Sequence, residues 1–336
     1  MKEVLETARE KMKGYCRVCA QCNGKACVGQ VPGMGGLGTG ASFAANLEAL
    51  AKYRFNMRLI HDVTTPDTST VFLGRKLSIP VLAAPIGGVS FNMGGGIAEE
   101  EYTDAVIGGC VAAGTLGCTG DGVPDFIHES GFSSIAKNQG QGIPFIKPWE
   151  NEEFYRKLEK AQQAGIDTFG MDIDAAGLVT LREMGRPVSP KNPSQLRKII
   201  ESTSLKFILK GVMTVDEALL AAEAGVDAIV VSNHGGRVLD FAPGAADVLE
   251  AIADAVKDKV TILADGGVRS GGDVLKLLAL GADAVMIGRP ISVAAVGGLQ
   301  QGVESYLSKI KGELIQSMVL TGTTSTSMVS KDILHA

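Results

Sequence analysis

Long apolar runs are missing from this chain: no stretch approaches the roughly 18 residues that a bilayer-spanning helix needs. Positive charge is not in excess either. There are 32 Lys and Arg against 37 Asp and Glu, a net charge of -5, whereas a nucleic-acid binder would show a basic field. Aromatic residues make up only 5% of the 336 positions, and there are only four histidines. An imidazole that falls beside other polar groups is therefore informative. The segment Met1 to Lys13 is too charged for the apolar core of a signal peptide and reads as a polar helix, so cytoplasmic residence is expected.

Glycine, by contrast, is abundant at 43 residues, which implies tight turns and close backbone approaches around a phosphate-bearing ligand. Four of the six cysteines fall in one run, Cys16-x2-Cys19-x2-Cys22-x4-Cys27. A glycine-rich passage from Pro32 and Gly33 to Gly40 follows, too flexible for a regular element. A helix is expected over 42–53 with Ser42 as its N-cap, and an entry hairpin or strand over 54–78.

From residue 79 the chain repeats itself. Buried strand-like runs stand at 79–85, 143–147, 205–210 and 260–265. Between them, strands are expected at Gly114-Thr115-Leu116, Gly165-Ile166-Asp167, Gly225-Val226-Asp227 and Gly281-Ala282-Asp283, each opening on a glycine that closes a helix. Thr214-x-x-Glu217 has the spacing of a capping box, and Val274, Leu277 and Leu278 form an apolar helical stripe. Eight buried strands alternating with helices make a TIM (βα)8 barrel, with a doubly wound open sheet as the alternative. The expected organisation is a cysteine-bearing extension over 1–41 and a barrel over 42–336.

Barrel active sites lie where the strands end. The residues there are Pro85-Ile86-Gly87-Gly88, Cys118-Thr119, Lys147, Asp172 with Asp174, Lys210, Ser232 to Arg237, Asp265-Gly266-Gly267, and Gly288-Arg289. They are far more polar than the strands leading to them. The last two turns, Asp265 to Arg269 and Ile287 to Pro290, occupy the usual phosphate position of such barrels. Glycine lets backbone N–H groups approach phosphate oxygens, and arginine neutralises the charge. His234 stands three residues from Arg237, a proton acceptor beside a carboxylate clamp.

Ser232-Asn233-His234-Gly235-Gly236-Arg237 with Leu239-Asp240, together with Lys210-Gly211-Val212, Asp265 to Arg269 and Gly288-Arg289-Pro290, resembles the FMN-dependent 2-hydroxy-acid oxidase and dehydrogenase family. The match is specific over 205–295, looser over 42–175 and absent over 1–40. The resemblance implies an enzyme oxidising a 2-hydroxy acid to a 2-oxo acid. In it His234 is the base, Asp174 its partner, Arg237 the carboxylate clamp and Lys210 the cation beside the flavin. Pro85, Ile86 and Gly87 would pass beside the ring, with Lys147, Asp172 and Ser232 near it. Asp265 would hold the ribityl chain, and Gly267, Arg269, Gly288 and Arg289 the phosphate. Relatives commonly form tetramers, so a homo-tetramer or larger assembly is expected; the electron acceptor is unidentified.

The sequence also departs from the family pattern. The tyrosine that the family places before the barrel to help hold the carboxylate has no match here, and Arg182 is a poor match for the family's second arginine. Lys147, Trp149 and Asp172 replace a glutamine, a tyrosine and a threonine, and Gly87 replaces an alanine. The first of two other readings is an FMN barrel of the isopentenyl-diphosphate isomerase type. The second is a non-catalytic flavin or metal redox protein. Cys16, Cys19, Cys22 and Cys27 carry a metal-ligand spacing, for either an iron–sulfur cluster or Zn²⁺.

Overall fold

Each of the four glycines expected to close a helix does so with positive φ: Gly114 at 72°, Gly165 at 74°, Gly225 at 96° and Gly281 at 107°. The residue after each then bonds back across the turn, Thr115 N to Cys110 O, Ile166 N to Ala161 O, Val226 N to Ala221 O and Ala282 N to Leu277 O. These are Schellman closures. They use up the residues next to the glycine, so the strands start about three positions later than the sequence implied.

The computed structural model describes residues 1–29, 34–150 and 152–335; Pro32 and Gly33 of the glycine-rich passage lie outside them. Eight parallel strands form a closed barrel in chain order: β1 (Val81–Ile86), β2 (Gly117–Thr119), β3 (Gly142–Ile146), β4 (Thr168–Asp172), β5 (Lys206–Val212), β6 (Ala228–Val231), β7 (Thr261–Ala264) and β8 (Ala284–Ile287). β8 returns to β1 with Ile287 opposite Ala83. The architecture is a TIM barrel, not an open sheet.

Alternation along each strand sorts the side chains. Leu82, Phe145, Ile208, Val230, Leu263 and Met286 form the barrel interior. Val81, Ile146, Leu209, Ile229, Ile262 and Val285 pack outward against the helices. The antiparallel hairpin Thr70–Phe72 with Arg75–Leu77 caps one end, its Phe72 and Leu77 joining the interior cluster. Burying a side chain of that size stabilises by about 1.5–3 kcal/mol. Continuing the inward parity past Ile208, Val230 and Leu263 gives Lys210, Ser232 and Asp265. The apolar interior thus ends in a polar layer at the opposite rim.

The first helix, α1 (Lys2–Lys11), lies on the final helix, whose Gly297 would put a Cβ 2.0 Å from Val4 O. The helix α2 (Ala41–Lys52) starts behind Gly40, not at Ser42. Ser42 Oγ donates to Leu239 O at 2.8 Å and accepts from Ala242 N at 2.8 Å. Tertiary partners some 200 residues away have replaced the local cap. Arg54–Phe55 pairs with Leu334–His335, so the segment 54–78 holds one short strand besides the hairpin. Among the described residues, no helix is long and apolar enough to cross a membrane.

Candidate active site

After β6 the backbone turns through three consecutive left-handed residues, His234 (φ 57°), Gly235 (62°) and Gly236 (77°). For a histidine this costs about 1–2 kcal/mol, so its surroundings must impose it. They do so from α2. Asn233 Oδ1 accepts from Asn46 Nδ2 at 2.7 Å and from Gly236 N at 3.1 Å. Asn233 Nδ2 donates to Ser42 O and Pro243 O. Ser232 Oγ accepts from His234 N at 3.0 Å, and Leu37 N donates to Gly236 O at 2.7 Å. Asp240 takes Thr39 N at 2.6 Å and Ala41 N at 3.1 Å. The buried Asn233 of the motif and Asn46, which the sequence did not single out, hold the histidine loop to the preceding helix.

The loop delivers His234 Nδ1 to 2.9 Å from Asp174 Oδ1. Asp174 comes from a 3-10 turn, Ile173–Gly177, directly after β4. Its approach depends on Gly211, at φ 109° in a register shift between β5 and β6, where a Cβ would stand 2.6 Å from the Asp174 carboxyl carbon. Burial opposes ionisation of Asp174, but His234 and Lys210 outweigh it and hold the carboxyl at about 2. Lys210 Nζ lies 3.4 Å from Asp172 Oδ1 and 4.0 Å from Asp265 Oδ2. Burial works against its charge, yet Asp174, Asp172 and Asp265 raise its pKa above the ordinary lysine value. Asp172, Asp174 and His234 could together face a cation, with ligand atoms within 4.8 Å of one another. The Lys210 ammonium already supplies that positive charge, so these groups read as an acid–base centre.

His234 and Lys210 open onto a cavity of about 700 Å³, counted out to its mouth. One wall is Ala84, Pro85 and Ile86 of β1; Arg237 and Asp265 stand across it with His234. Arg237 Nε and Asp265 Oδ1 are buried with no hydrogen-bond partner among the described residues. At the far end stand Gly266, Gly267, Arg269, Gly288 and Arg289. The helical run Arg289–Thr321, broken at Gly298 and Leu299, begins there, so the positive end of its dipole adds to the field. Arg289 Nη2 donates to Gly235 O at 2.9 Å, and its guanidinium lies 4.6 Å from the Phe43 ring. Burial, then Arg237 and Arg269, push the Arg289 pKa down to about 10. A crowd of guanidiniums at a helix N-terminus is a donor set for a dianion.

Not every expected site residue lines the cavity: Gly87, Lys147, Asp172, Asp174 and Ser232 do not. The backbone N of Lys147 donates to Asp121 Oδ2 at 3.1 Å, and its charge helps keep Asp174 ionised. A Cβ on Gly87 would meet Ile127 Cγ2 at 2.8 Å and Gly120 C at 3.0 Å, so glycine here answers to packing. Trp149 is buried, with Nε1 donating to Asp121 Oδ2 at 2.6 Å. Arg182 turns outward to Glu150 and Val188 O. Conversely, Met34, Asn92, Met93 and Met286 line the cavity unforeseen. Only Met286 had a signal, the inward parity of β8. The four N-terminal cysteines are free thiols; Cys19 is exposed and Cys16, Cys22 and Cys27 are half-buried.

The residues fit a flavin mononucleotide. Arg269, Arg289 and the helix N-terminus suit its phosphate, the unpartnered Asp265 oxygen a ribityl hydroxyl, and Lys210 a ring that gains negative charge.

Comparison with known proteins agrees. A family model described as FMN-dependent dehydrogenase matches residues 33–194 and 179–336. Glycolate oxidase of Spinacia oleracea is 31% identical over 345 residues, covering 88% of each chain. L-lactate oxidase of Lactobacillus jensenii is 31% identical over 325 residues, covering 87% of this chain and 76% of its own. A crystal structure of mandelate oxidase superimposes with a TM-score of 0.81 at 26% identity, covering 99% of this chain and 97% of that one. With the motif, the barrel and the match running together over most of its length, the chain belongs to the FMN-dependent dehydrogenase family.

Proposed function

We propose that this enzyme oxidises a 2-hydroxy acid to the corresponding 2-oxo acid. The observation that carries the reading is the pair of His234, oriented by Asp174, and Arg237, with an unpartnered buried Nε, on one wall of the cavity. His234 takes the proton of the substrate hydroxyl, and the adjacent carboxylate stabilises the imidazolium that results. Arg237 holds the substrate carboxylate. Without a second arginine or the pre-barrel tyrosine, that carboxylate rests on one guanidinium.

Pro85, Ile86, Lys210 and Asp265 hold the ring and ribityl portions of FMN, backed by Gly87, Lys147, Asp172 and Ser232. Gly267, Arg269, Gly288 and Arg289 hold its phosphate. FMN, when bound, would accept the α-hydrogen together with its two electrons, which with the hydroxyl proton taken by His234 completes the conversion to a 2-oxo acid. Lys210 supplies the positive charge that this added electron density requires. The protein works in the cytoplasm as a homo-tetramer or larger assembly, with residues 1–41 as an N-terminal extension whose four cysteines bind a metal, either an iron–sulfur cluster or Zn²⁺.

Anaerobic mixing with a panel of 2-hydroxy acids tests this reading. At least one acid should bleach the flavin of the wild type. His234→Ala should keep the yellow cofactor and lose the bleaching. Failure of every 2-hydroxy acid to reduce the wild-type flavin overturns the proposal.

A further inference from the structure

We propose that Cys16, Cys19, Cys22 and Cys27 hold an iron–sulfur cluster, seated against Arg269 at the arginine-lined end of the active-site cavity. Naming that end a phosphate site rests on the proposed function; the cluster does not depend on it.

The cysteine segment carries one short 3-10 turn, Lys25–Cys27, and is otherwise shaped by its tertiary contacts. Arg9 Nη2 donates to Val18 O at 2.9 Å, and Val18 N donates to Cys16 Sγ at 3.4 Å. Arg269 reaches in from the turn after β7, donating from Nε to Cys22 O at 3.3 Å and from Nη2 to Cys22 Sγ at 3.5 Å. The four cysteines fall within twelve consecutive residues, in a segment pinned at Cys16 and Cys22 by these bonds. Cys110 and Cys118 are buried within the barrel and take no part.

Three occupants compete for this space. Disulfides are absent, since all four cysteines are free. Zn²⁺ with sulfur ligands at about 2.3 Å in a tetrahedron requires sulfurs about 3.8 Å apart. Among the described residues, no three cysteine sulfurs come within 4.8 Å of one another. The thiolates of a multi-iron cluster bind different iron atoms and so stand further apart. The run C-x2-C-x2-C is also the ligand spacing of iron–sulfur proteins. Charge agrees: four thiolates bring a strongly negative centre, and the Arg269 guanidinium donates directly to one of the sulfurs. An N–H···S bond of the kind Arg269 makes to Cys22 is a recognised means of tuning such clusters.

The test is metal analysis of the full chain purified without oxygen, with FMN measured separately on the same sample. The expected result is roughly two to four iron atoms and as many acid-labile sulfides per chain, with little zinc. A broad visible absorption under the flavin bands should bleach with dithionite. Cys19→Ser, at an exposed position, should lower iron at least fivefold while the far-ultraviolet circular dichroism stays unchanged. Stoichiometric zinc without iron overturns the proposal, as do four freely titrating thiols in a metal-free protein. Wild-type composition decides the matter even if a variant fails to fold. Iron and sulfide without FMN would leave the cluster standing and count against the flavin reading; FMN without iron would do the reverse.

Discussion

His234 Nδ1 stands 2.9 Å from Asp174 Oδ1, and a carboxyl held at about 2 can only accept in that bond. Nδ1 therefore carries the hydrogen, which leaves the lone pair of a neutral ring on Nε2, the atom free to take a proton. Asp174→Asn keeps the shape but presents an amide that can donate to Nδ1 and favour the wrong tautomer. The rate of flavin reduction by substrate should fall about 100-fold or more, with FMN content unchanged. Stopped-flow reduction under anaerobic conditions measures it. A rate within threefold of wild type would remove Asp174 from the mechanism.

Arg269 is shared between the cysteine segment and the cavity floor. Charge-assisted hydrogen bonds contribute about 1.5–3 kcal/mol each, so Arg269→Gln should weaken FMN binding by roughly 10- to 100-fold. Fluorescence titration of apoprotein gives the Kd. The variant should also lose part of the salt dependence of FMN binding, because one screened charge is gone.

How much of this was legible in sequence depends on the range of the forces. The barrel was, because glycine closures and buried runs are local signals repeated along the chain. The rim at Lys210 and Asp265 was, because each stands as a charged residue at the end of a buried apolar run, a local contrast. The clamp from Asn46 to Asn233 was not, since two asparagines 187 positions apart carry no periodicity. Nor was the retreat of Trp149, whose indole follows the buried Asp121 instead of the cavity. Ser42 misled for the same reason: a cap motif is a local offer that distant partners can outbid. Met34 and Met93 reach the cavity from irregular segments, where composition gives no direction.

Asp121 is the hub of a second polar cluster, apart from the cavity. It accepts from Trp149 Nε1 at 2.6 Å and from Lys157 Nζ at 2.6 Å, and Lys157 is wholly buried, 4.5 Å over the Trp149 ring. Removing one partner of a buried pair strands the other, at a cost of about 3–5 kcal/mol. Lys157→Met should therefore lower the unfolding free energy by that amount in urea titrations. Adding Asp121→Asn should restore part of it. A single variant as stable as wild type would mean that solvent reaches Asp121.

His128 sits against the same hub, with Nδ1 3.6 Å from Asp121 Oδ1, the Phe132 ring at 5.4 Å, and neither ring nitrogen hydrogen-bonded among the described residues. Burial, then the neighbouring Lys157 charge, lower its pKa to about 4, although Asp121 and Asp125 pull the other way. The unfolded chain binds this proton near pH 6.5, so between pH 6.5 and 4 it holds more protons than the folded one. The associated stability is complete above pH 6.5 and is lost as pH falls through that window, by at most about 1.4 kcal/mol per pH unit. His128→Leu removes this dependence while filling the same apolar space. Urea midpoints from pH 7.5 to 4.5 should fall more steeply for the wild type than for the variant. Parallel curves would show that folded His128 takes up its proton as readily as the unfolded chain does, with Asp121 offsetting burial.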